Sequence, residues 1–183
     1  MWLRDSANQM QSYLTLLKPN TSTSSLASLY RGVINLQARY ILSAPHCNSF
    51  QPPIESGLPP TRNQELPDDF TPPISNATVF ECKYELDSLA AFLEISTNYY
   101  QATGDVAFFA KFEWVRAVQK ILETTEALLV GTYASNGSVN TVPYTWMRTT
   151  TSGTETLSNS GRGNPVQDGT GLVRSAFRPS DDA

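Results

Sequence analysis

The chain has 183 residues, a length that is typical of one domain with a substantial buried core. Its 17 acidic and 13 basic residues give a formal net charge of -4 without any run of Lys or Arg, which argues against nucleic acid and anionic membranes as partners. No apolar stretch is long enough for a membrane segment, and Arg4 and Asp5 interrupt the region that a signal peptide would need, so we expect no targeting signal within the chain.

The first helix is predicted from a capping-box pattern near the start of the chain. Ser6 as the N-cap, with Gln9 three residues later, indicates a helix that begins directly after Asp5. Because Pro19 cannot continue a helix, this element should end at about Lys18.

A second helix is predicted over residues 24–43. Its apolar residues recur at three- and four-residue steps, as on one buried helix face: Leu26, Leu29, Val33, Leu36 and Tyr40. The connection between the two helices is short, so they should pack as an antiparallel pair.

Residues 44–77 contain most of the chain's twelve prolines and show no apolar period, so we expect a Pro-rich surface loop there. Cys47 and Cys82 bracket this segment. A disulfide between them would stabilise the fold by about 3 to 4 kcal/mol in the chain-entropy model. Two separately buried thiols also fit, because pairing cannot be read from a sequence. Two cysteines and the single His46 are too few for a zinc site, so no metal or other cofactor is expected.

Two more helices are predicted, over residues 85–103 and about 105–128. The first carries Leu86, Leu89, Leu93 and Tyr100 on one face, with Gly104 at its C-terminus. The second has apolar residues at helical spacing: Phe108, Phe112, Val115, Val118 and Leu122. The tight turn between them makes this pair antiparallel as well.

Residues 130–171 are rich in Gly, Ser, Thr and Asn, and they are predicted to form a long loop. The β-favouring piece 139–146 leaves room for a hairpin within it. Further on, Ser180 is a good N-cap, so a fifth helix should begin at Asp181.

Three triplets match the N-glycosylation pattern, and all fall in segments predicted to be loops: Asn20, Asn76 and Asn136. Any one triplet can arise by chance in a chain rich in Ser and Thr. The shared placement in loops favours the secretory pathway, either its lumen or the exterior, as the location of the protein.

Helices one, three and five should begin at the same end of the assembly, because successive helices run alternately up and down. The residues of chemical interest lie at these starts: Trp2, Arg4 and Asp5; Tyr84, Glu85 and Asp87; Arg178, Asp181 and Asp182.

Two interpretations of this end are open. Acidic residues are common in first helical turns, where each stabilises the helix dipole by about 0.3 to 1 kcal/mol. Carboxylates beside guanidinium groups and aromatic rings, with Trp146 and Arg148 among them, instead suit a sugar. Sugar hydroxyls need hydrogen-bond donors and acceptors, and the C–H face of a sugar stacks on a ring. Trp2 and Trp146 fit a hydrophobic core equally well.

Three motifs carry a resemblance to a known family: residues 1–6 (MWLRDS), 83–88 (KYELDS) and 170–182 (TGLVRSAFRPSDD). In that order they resemble the metal-independent α-mannosidases of glycoside hydrolase family 125, including the fungal members known as meiotically up-regulated gene 157 proteins. Residues 161–165 (GRGNP) match as well, so the likeness covers nearly the whole chain.

The resemblance implies an all-α fold, a partial (α/α)6 toroid in which residues 1–183 form an incomplete catalytic domain with about four complete helices. It also implies release of terminal mannose from α-1,6-linked mannosides with inversion. Either Asp181 or Asp182 would be the general acid. Arg4, Asp5, Glu85 and Asp87 match motifs that line the terminal-sugar subsite, and we expect Trp2, Tyr84 and Arg178 beside them. The general base would be a glutamate beyond Ala183.

Two alternatives remain at the level of the sequence. The chain could be a truncated, non-catalytic product that at most binds mannosides on a helical scaffold. A related toroid acting on glucosides is the weaker alternative, because residues 178–182 are not typical of those enzymes. For the isolated chain we expect no activity and poor solubility, since helices one and three would keep an apolar flank uncovered.

Overall fold

The computed structural model describes residues 1–62, 68–148, 158–175 and 177. Five helices are present in this part of the chain: α1 (Leu3–Gln11), α2 (Leu26–Ser43), α3 (Leu86–Thr103), α4 (Val106–Lys111) and α5 (Trp114–Ala127). Four short strands accompany them: β1 (Ser49–Phe50), β2 (Asp68–Thr71), β3 (Val79–Glu81) and β4 (Thr145–Arg148). The fold is therefore mainly helical as predicted, but the strands correct the expectation of an all-α chain.

The strands form two small antiparallel sheets, in which β1 pairs with β3 and β2 pairs with β4. In the second sheet Phe70 lies opposite Trp146, and Thr71 lies opposite Thr145. Because each pairing joins segments that are far apart in sequence, no local turn motif predicts it. Trp146 is buried, so its ring belongs to the core.

Helix α1 begins three residues earlier than the capping box predicts. Its N-cap is Trp2, and Ser6 lies inside the helix, where its Oγ donates to the Leu3 carbonyl at 3.0 Å. The start is instead set by a distant segment, since the Leu3 N–H donates to the Asn48 carbonyl at 3.0 Å. The helix ends at Gln11 rather than near residue 18, and a 3-10 turn, Leu14–Leu16, follows it.

Helix α2 matches its predicted range, and the Ser25 side chain caps it by accepting from the Ser28 N–H at 3.1 Å. The predicted face is only partly confirmed, because Tyr40 is buried but Leu26, Val33 and Leu36 are only partly buried. Tyr30 and Ile34 are fully buried, whereas Leu29 is 53% exposed. The most buried row is the one that contains Tyr30 and Ile34. It lies one residue further along the chain than the predicted row, which is a rotation of about 100° around the helix. The apolar stripe of Leu26, Leu29, Val33 and Leu36 lies beside the core rather than in it.

Helix α3 is the centre of the core and packs against both α1 and α2. Its buried residues include Phe92 and Ile95, and Gly104 ends it with a φ of 66°. Helices α1 and α3 run in the same direction, because hydrogen bonds join both their starts (Arg4 to Asp87) and their far ends (Asn98 to Gln11, 2.9 Å). The predicted common end is confirmed for these two helices.

The predicted fourth helix is two helices, because the backbone is extended at Phe112. The Trp114 Nε1–H donates to Ser96 Oγ on α3 at 3.0 Å, which anchors the start of α5 independently of α4. Consequently Phe112, Val115 and Leu122 are about half exposed, contrary to the predicted apolar face. The fully buried residues of α5 are Ala117, Ile121 and Thr124.

Residues 47–51 are buried, so the prediction of a surface loop over residues 44–77 is wrong for this part. The Phe50 ring stacks on Tyr40 at 4.5 Å between centroids, which draws the segment onto α2. Cys47 and Cys82 form a disulfide, so the alternative of two separate thiols is excluded. The prediction of exposure holds for residues 55–62.

In the described parts of the segment after α5, the regular elements are β4 and a 3-10 turn at Ser158–Gly161, and the rest is irregular as predicted. A hairpin-like turn is present where Tyr133 bridges Val139 around Gly137. The expected start of a fifth helix at Asp181 lies outside the described residues. Among those that are described, no helix has the length and hydropathy to cross a membrane.

Candidate functional site

The starts of α1 and α3 are brought together by a short run of extended chain. Residues 1–3 lie beside residues 48–50, and β1 pairs on its other side with β3. From β3 the chain passes through Cys82 and Lys83 into α3. Arg4 is thereby placed next to Glu85 and Asp87, which are about eighty residues away in sequence.

Arg4 faces three carboxylates. Its Nη1–H donates to Asp87 Oδ2 at 2.8 Å, the same nitrogen is 4.0 Å from Glu85 Oε2, and Nε is 3.9 Å from Asp5 Oδ2. The hydrogen bond to Asp87 raises the pKa of Arg4, with smaller contributions from the charges of all three acids. The side chains of Asp5 and Asp87 are more than half exposed, so both carboxylates keep oxygens free for a ligand.

Glu85 differs from the other two acids because its side chain is buried. Its Oε2 accepts from Ser88 Oγ at 3.0 Å, and its Oε1 lies 3.5 Å from Lys83 Nζ. Burial raises the pKa of Glu85, although Lys83, Ser88 and Arg4 oppose the shift in that order. The site therefore combines a buried carboxyl group of raised pKa with two solvated carboxylates and a permanent cation.

Sequence reasoning assigned no role to Lys83 or Ser88. Lys83 precedes Glu85 by two residues in extended chain, where alternate side chains share a face, and Ser88 follows Glu85 by one helical turn. The contacts of Lys83 and Ser88 with Glu85 could therefore be predicted from their spacing once the start of α3 was known. The contribution of Asn48, whose side-chain oxygen accepts from the Lys83 N–H at 3.1 Å, depends on non-local pairing and has no such local signal.

Tyr84 points to the other side of the extended chain from Lys83 and Glu85. It is buried among His46, Tyr144 and Phe177, with ring centroids 5.8, 6.0 and 5.6 Å away. Burial raises the pKa of its hydroxyl, which has no hydrogen-bond partner among the described residues. Contact between Tyr84 and a sugar stays a prediction.

Trp2 is 42% exposed at the edge of the cluster, where its ring meets Phe80 edge-on at 5.5 Å. A ring in this position can offer a face to a ligand, and that role also stays a prediction. The predicted general-acid candidates Asp181 and Asp182, together with Arg178, lie outside the described residues. Phe177, which directly precedes Arg178, contacts Tyr84.

The described residues contain no group of three or more His, Cys, Asp or Glu side chains arranged to hold a metal ion. What the cluster at the α1 and α3 starts offers is a set of fixed donors and acceptors beside an aromatic ring. Such a set matches a neutral, hydroxyl-rich ligand, because each hydroxyl both donates and accepts.

Comparison with known proteins places this geometry in a family. The model of the metal-independent alpha-mannosidases (GH125) matches residues 1–183. The meiotically up-regulated gene 157 protein of Schizosaccharomyces pombe is 46% identical over 183 residues, which are 100% of this chain and 35% of that protein.

A solved structure is similar as well. It is a metal-independent alpha mannosidase of Streptococcus pneumoniae in a non-productive substrate complex with alpha-1,6-mannobiose. The TM-score is 0.73 at 30% identity, and the match covers 100% of this chain and 38% of the other. The chain thus spans little more than a third of the length of the proteins that it matches.

Proposed function

Because this chain belongs to the metal-independent α-mannosidase family GH125, we propose that it is part of a glycoside hydrolase acting on α-1,6-linked mannosides. The enzyme releases terminal mannose with inversion, and its substrate is an α-mannoside oligosaccharide or glycan. Membership of the family supports the hydrolase class. The mannobiose bound to the pneumococcal relative supports the linkage.

The observation that carries the proposal is the cluster of Arg4, Asp5, Glu85 and Asp87 at the shared start of α1 and α3. These residues belong to the two motifs by which the chain resembles the family, and they are in contact despite their separation in sequence. Their role in the enzyme is to hold the hydroxyls of the terminal mannose.

The reaction needs two carboxyl groups about 6.5 to 9.5 Å apart, one protonating the leaving oxygen and the other activating water on the opposite face of the sugar. In this proposal Asp181 or Asp182 is the acid, and the base is a glutamate in the remainder of the enzyme. Glu85 is a poor base, because its side chain is buried and its two oxygens already lie against Lys83 and Ser88. It is better suited to binding.

The whole catalytic domain is proposed to be an (α/α)6 toroid, of which residues 1–183 are an incomplete part. The parallel helices α1 and α3 occupy inner positions, and α2 and α5, which pack on each other, occupy outer ones. This arrangement is supported by the likeness to the pneumococcal structure over the whole chain.

The test is an assay of the full-length protein on α-1,6-mannobiose with a chelator present. We expect mannose release, with the β-anomer appearing first in a proton NMR time course. No release, or release only after calcium or zinc is added, would overturn the proposal. Binding of mannobiose without turnover would support the alternative of a non-catalytic, mannoside-binding scaffold.

The general acid is identified by Asp181→Asn and Asp182→Asn, made singly in the full-length protein. Loss of the acid lowers kcat by about 10²- to 10⁴-fold with little change in mannobiose affinity. The other variant serves as the matched control. If both variants kept the activity of the wild type, neither aspartate would be the general acid.

The protein is also proposed to reside in the secretory pathway, in its lumen or outside the cell. Asn20, Asn76 and Asn136 are all exposed and lie outside helices and strands, as a glycosylated asparagine requires. In addition, Ser138 donates through both its N–H and its Oγ–H to Asn136 Oδ1. Mass spectrometry of the protein from a eukaryotic host should show glycan at one or more of these sites. Unmodified asparagine at all three would contradict this location.

A further inference from the structure

The buried part of the Pro-rich segment has a position that the proposed function does not use. Residues 48–50 form the middle of three extended runs, with residues 1–3 on one side and β3 on the other. The outer two runs lead directly into α1 and α3. The middle run therefore lies between the segments that enter α1 and α3, the two helices whose starts carry the site residues.

Asn48 makes three hydrogen bonds across these runs. Its carbonyl accepts from the Leu3 N–H at 3.0 Å, its Oδ1 accepts from the Lys83 N–H at 3.1 Å, and its Nδ2–H donates to Glu81 Oε2 at 3.2 Å. The residue is 1% exposed. Asn48 therefore contacts both outer runs. Its backbone carbonyl holds the start of α1, and its side chain holds strand β3 and the approach to α3.

The partners of Asn48 are the neighbours of the site. Leu3 directly precedes Arg4, and Lys83 lies two residues before Glu85, with which it makes an ion pair. Cys47, next to Asn48, is bonded to Cys82, next to Lys83, so a covalent link holds the same two runs together. Arg4 Nη1 and Glu85 Oε2, which are 4.0 Å apart, lie one and two residues beyond the positions that Asn48 bonds.

We propose that Asn48 is a positioning residue for the sugar site, which sets the spacing between the Arg4 guanidinium and the Glu85 carboxyl. This inference rests on the proposed function, because the groups whose spacing Asn48 sets belong to the site that is proposed to bind the terminal mannose. Asn48 touches neither the ligand nor the reacting atoms. It acts through the backbone of the two helix starts, where a displacement of about 1 Å is enough to weaken a binding or catalytic geometry.

The experiment compares two buried amides of the same segment in the full-length protein. Asn48→Leu keeps the side-chain size and removes both side-chain hydrogen bonds. Gln51→Met is the matched control. Gln51 is 3% exposed, and its side chain bonds the backbone of Thr61 and Asn76 but no residue at the helix starts.

Titration calorimetry with α-1,6-mannobiose measures the affinity of each variant, and thermal melts measure stability. We expect both variants to melt at a lower temperature. Only Asn48→Leu should lose affinity, by about tenfold or more. Unchanged affinity in Asn48→Leu, or an equal loss in both variants at equal stability, would overturn the inference.

A charge-neutral exchange tests the contact itself and covers the case in which Asn48→Leu does not fold. Asn48→Asp alone places a second carboxylate beside Glu81, and affinity should fall. In Asn48→Asp combined with Glu81→Gln, the new carboxylate accepts from the new amide, so affinity should return to within about threefold of the wild type. No recovery in the double variant would count against the positioning role.

A readout without sugar separates this inference from the proposed function. Burial raises the pKa of the Glu85 carboxyl, and an NMR titration of this group is the readout. The pKa of Glu85 should fall towards its ordinary value in Asn48→Leu and stay unchanged in Gln51→Met. If the wild type fails to bind mannobiose, the proposed function is wrong. The titration then decides the positioning inference alone, because an unmoved Glu85 pKa refutes it.

Discussion

At the scale of single residues, the site depends on one guanidinium group shared among three acids. Within the described part of the chain Arg4 donates a hydrogen bond to Asp87 alone, and it also interacts electrostatically with Glu85 and Asp5. A third of its side chain is exposed, so solvent screens these pairs and their contribution to stability is small. The effect of changing Arg4 should therefore appear in ligand binding rather than in folding.

The first prediction is that Arg4→Lys lowers the affinity of the full-length protein for α-1,6-mannobiose by about tenfold. Lysine keeps the charge but lacks the planar fork that donates in fixed directions. The unfolding free energy should change by less than about 1 kcal/mol. Calorimetry and urea denaturation measure the two quantities. Arg116→Lys, which alters an exposed pair with Glu113, is the control and should leave binding unchanged. A loss of stability without loss of affinity would contradict the prediction.

The second prediction concerns His46, whose ring stacks on Tyr144 at 5.3 Å and whose buried Nε2 has no hydrogen-bond partner among the described residues. Burial, and to a smaller extent the charge of Lys120, lowers the pKa of His46 from 6.5 to about 4. Between these values the unfolded chain binds more protons than the folded one, so stability is retained above pH 6.5 and falls as the pH decreases towards 4. The loss approaches about 3 kcal/mol.

His46→Phe keeps the stacked ring and removes the titration. Urea denaturation of both proteins between pH 7.5 and pH 4 should show the wild type losing more stability than the variant over that range. All other acid-sensitive groups are common to both, so the difference isolates His46. Parallel pH profiles would contradict the prediction.

At the scale of elements, helices were predictable because their signals are local. The ranges of α2 and α3 and the terminating Gly104 follow from apolar spacing and from the residues at their ends. The strands were not predictable, since β1 to β3 and β2 to β4 join distant segments and neither strand of a pair carries a strong pattern. The same non-local contacts moved the start of α1 and left the capping box of Ser6 unused.

The third prediction compares two glycines that both have positive φ in the segment after α5. At Gly161 (φ 76°) an added Cβ would lie 2.3 Å from the Trp146 carbonyl oxygen, whereas at Gly169 (φ 73°) it would meet open space. Both alanine variants suffer the left-handed backbone conformation, at about 1 to 2 kcal/mol. Gly161→Ala should lose clearly more stability than Gly169→Ala, because strand β4 must also shift. Urea denaturation measures the unfolding free energy of the two variants. Equal losses would show that β4 does not clash with the added methyl group at residue 161.

At the scale of the whole molecule, apolar side chains remain on the surface of the described chain. Leu29 on α2 is 53% exposed beside the partly buried Leu26, Val33 and Leu36, and Leu122 on α5 is 56% exposed. The chain spans 35% of the length of its fission-yeast relative. Contiguous exposed apolar surface of this kind favours self-association.

The fourth prediction is that the isolated chain is inactive on α-1,6-mannobiose and elutes largely as aggregate. Leu29→Gln combined with Leu122→Gln should raise the monomer fraction with little loss of stability, since both side chains are more than half exposed. Leu89→Gln, a buried control, should unfold the chain instead. Size-exclusion chromatography with light scattering measures the result. A soluble wild-type monomer with mannosidase turnover would contradict it.

The sequence by itself determined the helical class, the common start of helices one and three and the candidate residues Arg4, Asp5, Glu85 and Asp87. These follow from short-range spacing and from motifs that can be read without coordinates. Only the tertiary structure decided that Glu85 is buried against Lys83, that Cys47 is bonded to Cys82, and that Asn48 lies between the two helix starts. Those facts depend on which distant segments pack together, because burial and non-local hydrogen bonds are properties of the folded chain and not of any local stretch of residues.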